Sequence, residues 1–282
     1  MANPTRSKAE QGEGGPSDHS RVGRWSRRVT VGREGWPPPG LTARDRIRRT
    51  GRLATTNPAG GETPVDKVMI AVRFAPGADA ARVRADWSDI ALADAAVADV
   101  VVNTATAASP ERAASVDVLI ALAHRGADRC EDLPGWGVLA DPAAEIRAWV
   151  VQPHRPIRWA RTWPDGETAP GIKMVSVMRR APGTTREAFA EHWTQRHTPL
   201  ARRHHPGLWN YTQNVVRRPL TAAGGDVDGI AELHFRSRWS FDHEFFDSDE
   251  GRAAIFADIP RFMAPPRGDG SLMIETPLRT SA

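Results

Sequence analysis

Lys67-Val-Met-Ile-Ala-Val-Arg-Phe-Ala-Pro-Gly77 returns without a gap as Lys173-Met-Val-Ser-Val-Met-Arg-Arg-Ala-Pro-Gly183, 106 residues further along the chain. Each segment is a run of strand-forming residues leading into an Ala-Pro-Gly turn. Ten positions after the glycine comes a Trp, Trp87 in one segment and Trp193 in the other. Val116-Asp117 then opens a strand-like run as Val227-Asp228 does. Ala148-Trp-Val-Val-Gln-Pro153 closes the first segment as Leu272-Met-Ile-Glu-Thr-Pro277 closes the second. The offset drifts to 111 and then 124, so insertions separate the matched pieces. Four matches in one order point to a tandem duplication of a single unit.

The later unit is the more legible. Ile172–Arg179 reads as a strand, and Thr185 as the N-cap of a helix through Arg196 with Phe189, Trp193 and Leu200 on one stripe. Leu208–Val216 and Val227–Phe235 read as strands about a Gly224-Gly225-Asp226 turn. Helical stretches follow around Phe241–Phe246 and Glu250–Ile259, the second capped by Asp247, and Ser271–Thr276 is the last strand. This βαββαβ order is ferredoxin-like, and the earlier unit follows it in eroded form. A four-stranded sheet with helices on one face leaves its other face bare. The expected fold is therefore α+β: two ferredoxin-like repeats, 65–155 and 171–279, joined by a linker at 156–170. They are expected to pack face to face as an intramolecular dimeric α/β barrel enclosing a cavity.

Composition narrows the function. The chain is 40% hydrophobic and 26% charged, the balance of a globular protein without a membrane span. Its single cysteine, Cys130, rules out an internal disulfide or a thiolate cluster and fits a reducing, cytoplasmic setting. Residues 1–62 hold 12 Lys+Arg and 6 Asp+Glu, whereas the whole chain is only +4, so the remainder is slightly acidic. The basic pI of about 9.9 thus belongs to a Gly-, Pro- and Arg-rich leader expected to be disordered. Neither nucleic acid nor a membrane is an expected partner.

Phe189-Ala-Glu-His192-Trp193-Thr-Gln-Arg-His197-Thr-Pro199-Leu200, then Gly207-Leu208-Trp-Asn-Tyr211, then Asp228-Gly-Ile-Ala-Glu232-Leu-His-Phe235 and the Phe245…Gly251 region form an ordered set. Together they resemble the EthD domain family, over nearly the whole later unit. The resemblance implies a dimeric α/β-barrel fold and a role in small-molecule metabolism, as in ether degradation or aromatic polyketide pathways. It does not fix a reaction. The earlier unit departs from the pattern: Asp86 stands where His192 does, Ala91 where His197 does, and its second strand has no Tyr. That unit is read as structural, leaving one pocket.

Four residues are candidates for catalysis: His197, His192, Tyr211 and Glu232. Pro199 disfavours helix at Thr198, which would leave His197 at a helix break and able to exchange protons near neutral pH. Glu232 would orient it, and Tyr211 would bond a developing enolate or phenolate. Strand alternation sends Ile230, Glu232 and His234 into the barrel, opposite Ala231, Leu233 and Phe235. Trp209, Tyr211, Gln213 and Val215 group together on their strand, as do Met174, Ser176 and Met178 on theirs. Trp209, Gln213, Ser176, Met178 and His234 are the expected substrate-binding residues. The plain alternative makes His192 a core residue, Tyr211 and Glu232 structural, and His204-His205 a solvated turn. Five-residue spacing of His192 and His197 is not the metal-ligand spacing of one helical face. No nucleotide-binding glycine motif is present, so no cofactor is expected. Trp159 and Trp163 are read as pinning the linker. The expected function is cofactor-independent acid/base chemistry, of oxidoreductase or lyase type, on a small hydrophobic cyclic or aromatic substrate, in a monomeric pseudo-dimer or a homodimer. Alternatives are a non-catalytic binding protein serving an oxygenase and a haem- or metal-dependent oxidoreductase.

Overall fold

Both faces of most strands are apolar, as in β1 (Val65–Phe74), where Val68, Ile70 and Val72 alternate with Met69 and Ala71 and all five are buried. A strand of that kind must be covered on two sides. The computed structural model describes residues 65–106, 116–265 and 270–281; the basic leader expected at 1–62 lies outside them. After β1 come α1 (Ala80–Ala93), β2 (Val97–Ala105), β3 (Val118–Arg125), α2 (Trp136–Ala140) and β4 (Ala143–Ile157). The second half runs β5 (Ile172–Met178), α3 (Arg186–Glu191), a π-helical turn (His192–His197), α4 (Thr198–His204), β6 (Leu208–Pro219) and β7 (Gly229–Phe235). It ends with α5 (Arg238–His243), α6 (Asp249–Asp258) and β8 (Gly270–Arg279).

The eight strands form one closed antiparallel barrel in the order β1-β3-β2-β8-β5-β7-β6-β4, with β4 returning to β1. Each set of four successive strands has the ferredoxin-like order, β4-β1-β3-β2 and β8-β5-β7-β6. The expectation of two sheets stacked face to face is corrected in one respect. The sheets join edge to edge, β2 to β8 and β4 to β6, so the backbone groups of all four edge strands are paired across two seams. Three cores result. Val68, Ile70, Val72, Val100, Ile120 and Leu122 pack outward on Trp87 and Ala91 of α1. Ile172, Met178, Leu233 and Phe235 pack outward on Phe189, Trp193 and Phe262. Met69, Leu119, Trp149, Val175, Val177, Ile230 and Met273 fill the barrel between them.

Matched residues make matched bonds. Asp117 accepts from the Phe74 amide at 2.8 Å, and Asp228 from the Arg180 amide at 2.9 Å. Asn103 donates to the Leu119 carbonyl at 2.9 Å, and Asn214 to the Ile230 carbonyl at 3.0 Å. The closing runs need a shift of two residues: Lys67 pairs with Val151 and Lys173 with Met273, so Val151 corresponds to Met273 rather than to Glu275.

Local expectations hold with two changes. Thr185 caps α3, accepting from the Ala188 amide at 3.1 Å. Ser248, not Asp247, caps α6, and Asp247 instead meets His204 Nδ1 at 3.0 Å. Pro199 does not break the helix. The π turn widens the coil just before it and α4 continues, with Thr198 still helical at φ −54°. The chain between β4 and β5 follows β8, Gly166 donating to the Pro277 carbonyl at 2.7 Å and Ala169 to the Glu275 carbonyl at 2.8 Å. It enters β5 through Gly171, whose φ of 92° and position against the Phe235 carbonyl leave no room for a side chain.

Candidate functional site

A polar side chain inside a closed barrel needs a partner, and the barrel supplies a chain of them. Lys173, on the face of β5 that carries Val175 and Val177, is 2% exposed. Its Nζ bonds Glu232 Oε2 of β7 at 2.7 Å and Glu275 of β8. The other Glu232 oxygen accepts from Asn214 Nδ2 of β6 at 2.8 Å and from Lys67 Nζ of β1 at 3.3 Å. Lys67 also donates to Asn214 Oδ1 at 2.8 Å. Two lysines and two glutamates thus balance within one network. Its two lysines and two glutamates line a cavity of about 790 Å³. Val101, Ala121 and Val151 supply apolar wall, Thr212 and Asn210 polar wall, and Trp159, Arg155, Arg158 and Arg217 also line it.

The charges are set by these contacts. Burial raises the Glu232 carboxyl, but Lys173 and Lys67 outweigh that and hold it far below the carboxylate range. Burial lowers Lys173, but Glu232 and Glu275 hold it well above an ordinary lysine. Lys67 goes the other way. Burial, then Arg155 and Lys173, bring it below the ordinary lysine value despite Glu232.

The structure separates the sequence-derived candidates into three places. Glu232 faces the cavity, as alternation indicated, but its partners are lysines rather than a histidine. His234 points inward as expected and lies at the barrel end under Trp159, ring centroids 4.3 Å apart, with Nε2 on the Pro170 carbonyl at 3.0 Å. Trp159 also meets Trp163 and Trp209, each at 4.9 Å, so the linker tryptophans do pin it to the barrel.

Trp209 and His234 do not line the cavity, and Tyr211, Gln213, Ser176 and Met178 are corrected likewise. Tyr211 pairs with Leu233 and Gln213 with Ala231, on the helix-facing side of β7. Burial pushes the Tyr211 hydroxyl up to about 12, and the group accepts from Trp193 Nε1 and Gln213 Nε2, both at 3.1 Å. Gln213 Nε2 donates to the Trp193 carbonyl in the π turn at 3.0 Å, and its Oε1 accepts from Thr198 Oγ1 at 3.0 Å and meets His154 Nδ1 at 2.7 Å. Met178 belongs to the helix-facing core, and Ser176, two residues from it along β5, shares that side.

His192 and His197 form the third group, outside the barrel. They share one carboxylate, Asp258 of α6, through Nε2 and Nδ1 respectively, each at 2.9 Å, and both rings lie on Phe262 at 5.1 Å. His197 is 7% exposed, not opened by a helix break. Burial lowers its pKa against the Asp258 bond. Burial also raises the Asp258 carboxyl, but the two histidines hold it below the usual range. His205 is buried too, its Nδ1 on the Phe245 carbonyl, rather than in a solvated turn.

Sequence reasoning missed Lys67, Lys173, Asn214 and Asp258. The signal was present for the first two, since Lys173 is the one charge in its strand and Lys67 opens the matched segment at the same position. No histidine lines the cavity, and no group of three or more His, Cys, Asp or Glu among the described residues suits a metal ion. The residues present therefore offer no histidine ligand for haem in that space.

Burial, helped by Lys173, lowers the His234 pKa to about 3. Unfolded, it titrates near ~6.5. A depressed folded value contributes stability that is present above about pH 6.5 and is lost as pH falls toward the folded value. His197, His205 and His124 are shifted the same way, chiefly by burial. The urea midpoint is expected to decline between pH 7 and 5, and His234→Gln, which keeps a donor for Pro170, to decline less steeply. Equal slopes would remove His234 as a cause.

The family of EthD domains matches residues 181–266, which hold the π turn, β6, β7 and α6. Among solved structures, an anthrone oxidase-like protein aligns with a TM-score of 0.52 at 11% identity, over 78% of this chain and 97% of that one. A chlorite dismutase from Candidatus Nitrospira defluvii in complex with imidazole aligns at 0.45 and 13%, over 77% and 93%. An EthD-family protein from Bacillus halodurans C-125 aligns at 0.28 and 23%, over 36% and 94%. The likeness to the anthrone oxidase-like protein is one of fold. No curated protein matches the chain. Among the described residues, no helix is long and apolar enough to cross a membrane.

Proposed function

We propose that this chain, with its EthD domain at 181–266, is an enzyme for a small hydrophobic cyclic or aromatic carbonyl compound, bound in the barrel cavity and activated by Lys67. The supporting observation is the pairing of an apolar wall with one incompletely enclosed ammonium, Lys67, whose side chain is 17% exposed. Glu232, held ionised, and Asn214 fix the direction of that ammonium. Its lowered pKa makes it a stronger acid toward a carbonyl oxygen. As Lys67 donates to that oxygen, an adjacent carbon can release CO₂ or a proton and pass the electron pair toward the carbonyl. Loss of CO₂ is itself the decarboxylation, completed by protonation of the enolate-type anion; the same anion can instead add to a second carbonyl of the substrate, as a cyclisation, or be oxidised by dissolved dioxygen, as an oxygenation. His197, His192 and Tyr211 serve this reading by fixing the π turn and α6 against β6, rather than by touching substrate.

A cavity served by one of two matched lysines fits a duplicated chain in which one half was modified. The equivalent lysines, Lys67 and Lys173, have diverged, one free to face the cavity and one clamped by two carboxylates. The matched Asp117/Asp228 and Asn103/Asn214 bonds support the same origin.

Two probes test the reaction: CO₂ loss from benzoylacetate, and deuterium uptake beside the carbonyl of 1-tetralone by NMR. Acceleration of either is expected to fall by about 100-fold in Lys67→Met, the scale of a lost acid catalyst. Acceleration unchanged in that variant would overturn the assignment. Retention of a carbonyl ligand with neither reaction accelerated would favour a binding protein.

A further inference from the structure

The chain contains 35 arginines and only three lysines, Lys8, Lys67 and Lys173. Two of the three face each other inside one barrel. Arginine supplies positive charge but cannot lose its proton in a protein, whereas a lysine amine can and then becomes a nucleophile. Lysine at these two positions in so arginine-rich a chain is therefore a chemical distinction.

The two are not alike. Lys173 is enclosed, with carboxylates on both sides. Lys67 lines the cavity, with one carboxylate oxygen at 3.3 Å and one amide oxygen at 2.8 Å; its third nitrogen-bound proton has no partner among the described residues. Glu232 from β7, Lys173 from β5, Arg155 from β4 and Asn214 from β6 are the charged and polar groups that face it. Burial and the two neighbouring cations favour its neutral form.

We infer that Lys67 forms a covalent imine with the carbonyl carbon of an aldehyde or ketone held in the barrel cavity. This rests on the carbonyl-substrate reading above and deepens it, because an iminium draws electrons more strongly than a hydrogen-bonded carbonyl. The ammonium first passes one proton to water, and the lone pair so freed forms a C–N bond as the carbonyl π pair moves to oxygen. That oxygen takes two protons from the nitrogen, relayed through water, and leaves as water as the C=N bond forms, while the first proton returns to the imine nitrogen. Taken from the ammonium, the conversion releases one water and no net proton or electron. The iminium carries the same single positive charge, so it still balances Glu232, and its remaining N–H still reaches Asn214 Oδ1.

Reductive trapping of the full chain with benzaldehyde and cyanoborohydride at pH 7, followed by peptide mass mapping, tests this. With so few lysines the map is simple, and Lys8 and the N-terminal amine are internal references. Lys67 is expected to gain a benzyl group at least tenfold faster than Lys8 or Lys173, with 1-tetralone slowing it. In Lys67→Arg, which keeps the charge, that adduct should vanish while labelling of Lys8 continues. Labelling of Lys67 no faster than Lys8 would overturn the imine. The two readings fail separately. Probe turnover lost in Lys67→Met without any trapped adduct leaves an acid and removes the imine. An adduct on Lys67 without turnover of either probe keeps the imine and removes the enzyme.

Discussion

Lys173→Met is expected to destabilise the protein by about 3–5 kcal/mol, the cost of leaving a buried charge without its partner. Glu232 would keep Lys67 at 3.3 Å, but Glu275 would lose its only described ion pair in a barrel where it is 8% exposed. For a folded region of this size the loss corresponds to a melting temperature lower by roughly 10 °C. Pairing Lys173→Met with Glu275→Leu removes one charge of each sign and should recover most of the loss, since a matched apolar pair is close to neutral in such positions. Thermal melts of the wild type and both variants decide the point. If the double variant melts no higher than the single one, charge balance is not what Lys173 contributes.

Gln213→Leu is expected to cost about 2–4 kcal/mol, although it changes neither charge nor volume greatly. In a π turn the carbonyls are displaced from their usual amides, and Gln213 Nε2 meets the one belonging to Trp193. The same side chain bonds Tyr211, Thr198 and His154, and Gln213 itself is 0% exposed. Leucine would leave several of these groups buried with fewer partners, at about 1–3 kcal/mol for each one fully orphaned. Thr198 retains the Trp193 carbonyl at 3.3 Å and Tyr211 retains Trp193 Nε1, which sets the upper bound. Urea titration measures the loss. A change below about 0.5 kcal/mol, the range of an ordinary surface substitution, would mean the turn does not depend on this cap.

These two residues also show how far the sequence could be read. Strand and helix order was legible because turns such as Ala75-Pro76-Gly77 punctuate long apolar runs, and the repetition of that order gave the barrel. The face on which a side chain lies was legible in β7, where Glu232 and His234 alternate with Ala231, Leu233 and Phe235. It was not legible in β6. Both faces of a barrel strand are buried, so Tyr211 and Gln213 on one side and Thr212 and Asn214 on the other give no polarity contrast. What settles the question is the neighbour across the sheet: Gln213 lies beside Ala231, and Asn214 beside Ile230. The His192–Asp258–His197 cluster was half legible. The histidines stood out, but their shared carboxylate comes from a helix about sixty residues later, and only tertiary contact joins them.

The seam between β2 and β8 has a consequence for the order in which the molecule can be made. On the ribosome, β1 to β4 emerge first and can assemble their own sheet, with β2 and β4 at its two borders. β4 must wait for β6, and β2 for β8, which ends at Arg279. At ~5–20 residues per second, the stretch from Ile157 to Arg279 takes several seconds or more to synthesise. Until β6 is made the nascent sheet offers two open borders, and until β8 is made the β2 border stays open beside an inner surface that includes Lys67. A chain stalled before Gly270 would keep the β2 border open indefinitely, and is the form in which a chaperone, or a second stalled copy, would find a strand ready to pair.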